Sequence, residues 1–278
     1  MPGKLILCAT PIGNLEDITT RALKVLADAD LLACEDTRRT RKLLTHFGIK
    51  PRDLTVYNEG NERRQARALV RLIADGKNVV LVSDAGMPGL SDPGYRLVRA
   101  CIDQGLDVEV VPGPNAAVTA LAISGLPTGR FVFEGFLPRK TSERRRHASE
   151  LVLEPRTLVF YESPHRIEQT LEDLLEVLGD RRAALARELT KIHEEVRRGT
   201  LGDLLEGVRE DRPRGEIVLV VEGAVGAHRP EVAPEELARR ARALMEQGVE
   251  RKVALSRVAK EAGVPRRKVF DALLEPPA

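Results

Sequence analysis

Val79-Val80-Leu81-Val82-Ser83-Asp84-Ala85-Gly86-Met87-Pro88-Gly89-Leu90-Ser91-Asp92-Pro93-Gly94 is the stretch that decides the fold. Its first four residues are apolar without interruption, as in a central parallel strand covered on both faces. The remainder mixes Gly, Pro, Ser and Asp. Such a composition turns the chain sharply at the strand's carboxyl end and presents two carboxylates there. In open α/β sheets that edge is where ligands bind. The segment reads as a cofactor site in a soluble α/β enzyme.

Apolar strands alternate with amphipathic helices on either side of it. Residues 5–9, 31–34 and 54–57 are strand-like, while 18–29, 40–47 and 62–74 are helical. In the last of these Ala66, Leu69, Val70 and Ile73 share one face. A helix over 94–104 and a strand over 108–111 complete the block, which Pro112-Gly113-Pro114 stops. This βαβ order predicts a mostly parallel sheet with helices on both faces. A short helix lies within 112–127, and Ser124-Gly125-Leu126-Pro127-Thr128-Gly129 reads as a connection. A second α/β block then has strands at 130–136, 157–161, 183–186, 195–198 and 217–221, and helices at 142–153 and 167–178. Residues 223–234 are rich in Gly and Pro and read as a linker, and the tail from Glu235 is helical and basic. The expected organisation is an N-terminal α/β domain over 1–124, a second α/β domain over 125–224 and a helical module over 234–278.

Composition narrows the function classes. At 278 residues, 42% hydrophobic and 31% charged, the chain can bury real cores in two compact domains. A net charge of +2 leaves nucleic acid and acidic ligands both open. Aromatic residues are only 3% with no Trp, which argues against single-strand binding dominated by stacked bases. There is no apolar run of about 18 residues and no signal-peptide pattern, so no membrane association is expected and the compartment reads as cytoplasmic. Cys8, Cys34 and Cys101 are isolated in apolar surroundings and read as buried structural thiols. The five histidines are scattered without zinc spacing, and no metal is expected.

Four loops of unusual composition fall at the carboxyl edge of the first sheet. They are Ala9-Thr10-Pro11-Ile12-Gly13-Asn14, Cys34-Glu35-Asp36-Thr37-Arg38, the 83–94 segment, and Pro112-Gly113-Pro114-Asn115-Ala116. None is a P-loop or a Gly-x-Gly-x-x-Gly turn, and no Gly-x-Ser-x-Gly elbow occurs. The second block adds Phe160-Tyr161-Glu162-Ser163-Pro164-His165-Arg166, Ala186-Arg187-Glu188-Leu189-Thr190-Lys191 and Arg214-Gly215-Glu216 at its own strand ends.

Taken in order, these motifs resemble those of the tetrapyrrole-methylase-fold methyltransferases, and within them the branch that acts on ribosomal RNA. The likeness runs from about Lys4 to Gly223 and also takes in Ser124-Gly125-Leu126-Pro127-Thr128 and Phe133-Glu134-Gly135-Phe136-Leu137-Pro138. Two departures stand out. Met87-Pro88-Gly89-Leu90 replaces Thr-Pro-Leu-Ile, and Tyr57-Asn58-Glu59-Gly60 replaces a segment that usually carries histidines. The resemblance implies two α/β domains with S-adenosylmethionine between them, a homodimer, and methylation of a cytidine ribose 2′-hydroxyl in 16S rRNA, free or in the small ribosomal subunit. Carried over residue by residue, it implies a cofactor site of Pro11, Gly13, Asp84, Ala85, Gly86, Ser91, Asn115, Tyr161, Ser163, Glu188, Leu189 and Gly215.

A ribose hydroxyl is a poor nucleophile, so a carboxylate near it can accept its proton. Glu35 or Asp36 is the expected base, with Arg38 orienting a phosphate. The competing reading makes Asp36 the cap of the following helix, paired with Arg38. RNA contacts are expected from Arg39 and Arg41, from Arg139, Lys140, Arg144, Arg145 and Arg146, and from Arg266, Arg267 and Lys268. The last three open the second helix of a helix-turn-helix-like pattern over 255–270, with its turn at Gly263. Two other functions fit parts of the chain: a methylase of tetrapyrrole intermediates, and a non-enzymatic nucleic-acid-binding regulator.

Overall fold

In the computed structural model, residues 1–224, 233–262 and 264–274 are described. The first block forms a five-stranded sheet of order β3-β2-β4-β1-β5, all parallel. Its strands are β1 (Lys4–Cys8), β2 (Leu31–Cys34), β3 (Leu54–Val56), β4 (Val79–Val82) and β5 (Asp107–Val111). All four residues of β4 are buried, as its uninterrupted apolar run requires. Helices α1 (Thr20–Asp28) and α2 (Thr37–His46) bury Ala22, Leu26 and Leu44 against one face. Helices α3 (Glu62–Ala74) and α4 (Tyr95–Asp103) bury Ala66, Leu69, Val70, Ile73, Leu97 and Cys101 against the other. The chain leaving β4 thus departs to the face opposite that taken after its neighbours β1 and β2. A crevice opens at such a switch point.

The second block is a mixed sheet of order β6-β7-β10-β8-β9. It comprises β6 (Phe131–Phe136), β7 (Thr157–Glu162), β8 (Arg182–Arg187), β9 (Glu195–Thr200) and β10 (Ile217–Val221). Only β6 and β7 run parallel; β10 pairs antiparallel with β7 and β8, and β8 with β9. Helix α5 (Ala116–Ser124), apolar on every side, packs under one face through Ala117, Ala120 and Leu121. Helices α6 (Thr141–Glu150), α7 (Ile167–Leu178) and α8 (Leu201–Glu210) cover the other. The sequence reading had no helix at α8, although Thr200 and Asp203 cap it reciprocally.

Both sheets belong to one compact unit, residues 1–152 and 156–223. Residues 153–155 and 224–278 form the other. There α9 (Pro234–Glu246), α10 (Arg251–Ala262) and α11 (Arg266–Leu274) enclose a core of Leu237, Ala241, Leu255, Val258 and Val269. The Arg251 guanidinium lies 5.3 Å over the Phe270 ring. The turn at Gly263 and most of the 223–234 linker lie outside the described residues. Cys8, Cys34 and Cys101 are buried free thiols, and burial pushes Cys8 up to about 12. No described helix is long and apolar enough to cross a membrane.

Candidate active site

The loops after β1 and β4 are stitched together before any ligand is considered. Thr10 and Gly86 exchange backbone hydrogen bonds, Thr10 N–H to Gly86 O at 2.9 Å and Gly86 N–H to Thr10 O at 3.1 Å. Gly86 has φ +77°, a left-handed conformation that side chains disfavour, so the position suits glycine. Its peptide groups are committed to Thr10, and what it offers a ligand is close approach. A second stitch joins the two sheets: Asn14 N–H donates to Thr190 Oγ1 at 3.0 Å. A Cβ on Gly13 would fall 2.5 Å from Lys191 Cγ and 2.9 Å from Leu189 O, so this crossing needs glycine.

These loops wall a cavity of about 370 Å³, within the range of small-molecule sites. Of the expected cofactor residues, Asp84, Ala85, Gly86, Ser91, Asn115, Tyr161, Ser163, Leu189 and Gly215 line it. Ile12, Met87, Ile217 and Val218 supply apolar wall, and Leu90 and Phe136 stand partly exposed at it. Phe136 and Phe133 flank Tyr161 with ring centroids at 5.5 and 4.9 Å. The Tyr161 hydroxyl reaches the backbone of Ala117 in the first turn of α5.

Three expected cofactor residues do not line this cavity. Pro11 is buried. Gly13 lies against the 188–191 turn instead. Glu188, at φ +50°, accepts from Lys191 Nζ at 2.7 Å and from the Glu216 N–H at 3.0 Å. Burial opposes its ionisation, but those hydrogen bonds outweigh it and hold the carboxyl below its ordinary value. Its carboxylate braces the two turns to each other.

The acidic pair after β2 is split. Glu35 lines the cavity, and Asp36 does not. Asp36 caps α2: its carboxylate accepts from the Arg38 N–H at 2.8 Å and pairs with the Arg38 guanidinium at 2.8 Å. Those hydrogen bonds hold it down to about 2. Asp36 and Arg38, expected as base and phosphate guide, are therefore committed to each other, because the cap needs the carboxylate. Glu35 is pushed up, first by burial and then by Asp84 and Glu59.

Asp92 went unassigned in the sequence reading. It lines the cavity too, and burial, with Glu35 and Asp84 adding to it, pushes it up to about 7 despite a hydrogen bond from Ser83. Nothing local marks it, since the cause is the company it keeps in space. The wall therefore carries five carboxylates, Glu35, Asp84 and Asp92 from the loops of the first sheet and Glu162 and Glu216 from the second, with Arg39 Nε 3.5 Å from Asp84 Oδ2.

The expected basic contacts divide as well. Arg39 lines the cavity, while Arg41, Arg139, Lys140 and Arg146 are exposed. Arg144 is a correction: it is 1% exposed, with its guanidinium on Asp173 at 2.5 Å and on the carbonyls of Pro138 and Arg139. A guanidinium so enclosed is a structural pin. Arg145 is held by Asp173 and Glu176. In the C-terminal unit Arg266 and Arg267 are exposed and Lys268 is half-buried.

The sequence profile of the tetrapyrrole (corrin/porphyrin) methylases matches residues 4–205. A ribosomal RNA small subunit methyltransferase I from Halalkalibacterium halodurans is 46% identical over 276 residues, covering 97% of this chain and 94% of that one. A protein of the same name from Thermotoga maritima is 49% identical over 221 residues. That match covers 80% of this chain and 99% of the other, so part of the present chain has no counterpart there. Among solved structures, uroporphyrin-III C-methyl transferase from Thermus thermophilus, complexed with S-adenyl homocysteine, shares the fold. Its TM-score is 0.55 at 24% identity, over 82% of this chain and 99% of that one. Profile, near-full-length relatives and fold agree: the chain is a methyltransferase of the tetrapyrrole methylase family, and it belongs with the ribosomal RNA small subunit methyltransferase I proteins.

Proposed function

We propose that the protein transfers a methyl group from S-adenosylmethionine to the ribose 2′-hydroxyl of a cytidine in 16S rRNA of the small ribosomal subunit. The observation that carries this is the carboxylate-walled cavity at the switch point of the first sheet, closed on its far side by Tyr161, Leu189 and Val218 of the second. Its donor set fits the cofactor. Ile12, Met87, Leu189, Ile217 and Val218 suit an adenine face, Gly86 allows close approach, and the carboxylates favour a cationic ligand. When bound, S-adenosylmethionine supplies a methyl on a positively charged sulfur, which departs as a neutral thioether as the methyl carbon bonds to the acceptor oxygen.

The chain's own groups handle the acceptor. The hydroxyl proton passes to a carboxylate as the new C–O bond forms, and Asp92 is the group best matched to that task. A base whose pKa lies near the working pH combines availability with proton affinity. Burial, with Glu35 and Asp84 adding to it, keeps it there, and Arg39 at the same wall suits a phosphate beside the target. Phe136 offers an exposed aromatic face to a base. Support for RNA as substrate comes from the names of the near-full-length relatives. Family membership leaves the non-enzymatic regulator without support. We further infer a cytoplasmic homodimer, which sedimentation would check through a mass twice that of one chain.

The test mixes the protein with methyl-labelled S-adenosylmethionine and small ribosomal subunits, then digests the RNA to nucleosides. Label is expected in 2′-O-methylcytidine. Label on a base, or only on an added tetrapyrrole, would overturn the reading. In the same assay Asp92→Asn should lower kcat by about 10²–10⁴ with donor affinity nearly unchanged. The rise of kcat/KM with pH around 7 should vanish with it. Normal turnover in that variant would remove Asp92 from the reaction.

A further inference from the structure

Helix α3 carries four exposed arginines, Arg63, Arg64, Arg67 and Arg71, and none of their guanidiniums has a hydrogen-bond partner, or a carboxylate within 4.0 Å, among the described residues. Elsewhere the exposed arginines of helices are mostly neutralised by their neighbours. Arg209 on α8 meets Glu168 and Glu172 of α7, and Arg239 and Arg240 on α9 both meet Glu236. The one carboxylate on α3 is already committed. Glu62 accepts from the Tyr57 hydroxyl at 3.2 Å and the Gly94 N–H at 3.3 Å, and pairs with Arg96 on α4 at 3.1 Å.

The arrangement is regular. Arg63, Arg67 and Arg71 recur every fourth residue, about 6 Å apart along the axis, exposed on the flank of the stripe of buried Ala66, Leu69, Val70 and Ile73. Like charges at that spacing destabilise a helix, so the bare stripe works against the fold it sits on. At the helix start Arg63, Arg64 and Arg96, with Glu59, Gly60, Asn61 and Glu62, line a second cavity of about 610 Å³. This cavity lies on the same sheet edge as the catalytic one. Glu62 is hydrogen-bonded to Gly94, the last residue of the 83–94 loop, and Glu59 is near enough to act on Glu35.

We infer that α3 and the cavity at its start form a track for the RNA phosphates flanking the methylated nucleotide, with Arg63, Arg64, Arg67 and Arg71 as its cations. The inference rests on the ribosomal RNA reading above. A nucleotide inserted into the catalytic cavity leaves its neighbouring phosphates along this edge. A row of guanidiniums at helical spacing then follows a strand of phosphates without reading its bases.

The test compares the wild-type protein with Arg63→Gln/Arg64→Gln/Arg67→Gln and with a charge-matched control, Lys24→Gln/Lys50→Gln/Lys77→Gln. Small-subunit affinity is measured at several salt concentrations, together with steady-state methylation and S-adenosylmethionine affinity. Losing three phosphate contacts should weaken binding at least tenfold and reduce the slope of log K against log salt by about 2. KM for the subunit should rise while kcat at saturation and cofactor affinity hold, and arginine-to-lysine replacements should recover part of the loss. Failure of the wild type to bind or methylate the subunit would sink the ribosomal RNA reading. A wild type that does both, with the arginine variant equal to it or no worse than the lysine control, would overturn the track alone.

Discussion

Asp92 shows how a residue's chemistry can be absent from its own neighbourhood in sequence. Its ordinary value is 3.8, and in the fold it stands at about 7. Between those values the folded protein holds a proton that the unfolded chain has released, so stability falls as pH rises from about 4 to 7. Asp92→Asn should therefore be more stable than the wild type at pH 7–8, by about 1 kcal/mol, the effect being reduced because water reaches the group. Melting curves at pH 5 and 8 would check this, and an equal response of both proteins to pH would count against it. Local roles were legible only in part. Asn115, expected from the sequence only as a cofactor residue, also caps α5 by accepting from the Val118 N–H at 3.1 Å. Asp36 admitted two sequence readings, and the cap prevails because its carboxylate lies beside the Arg38 N–H. Asp92 and Arg144 were not legible, since their partners lie far away along the chain or on other loops.

At the scale of elements, uninterrupted apolar runs in strands and amphipathic spacing in helices gave their bounds away. Strands β2, β4 and β10 and helices α3 and α7 begin and end where the sequence reading put them. Strand direction in the second sheet had no such signal, because a half-buried strand such as β9 looks alike in either direction. The run Arg144-Arg145-Arg146 misled for a related reason: three adjacent positions on a helix point three ways. Arg144 points inward and fastens α6 to α7 through Asp173. Removing one partner of a buried ion pair strands the other charge, at about 3–5 kcal/mol. Asp173→Ala should accordingly lower the melting temperature by roughly 10 °C. An unchanged melting temperature would show that Arg144 finds another partner.

For the whole molecule, the question is what the helical unit adds to the two sheets. The Thermotoga relative is 99% covered by a match that uses 80% of this chain, and the match to the family profile ends at residue 205, before the helices of that unit begin. Deleting residues 235–278 should leave S-adenosylmethionine affinity intact and weaken small-subunit binding about tenfold. A salt slope lower by about 2 should accompany that loss. Equal subunit affinity in the shortened chain would refute an RNA role for Arg266, Arg267 and Lys268.

The exchange of hydrogen bonds between Thr10 and Gly86, with the Asn14–Thr190 contact beside it, has a consequence for how such a scaffold diversifies. The Thr10–Gly86 part of the frame of the cavity is written in peptide groups, which most changes of side chain leave standing. Its preferences are written in side chains such as Met87, Leu90 and Phe136, which the frame does not use. The two can drift independently. One architecture can thus keep its frame and change its substrate by repainting the rim.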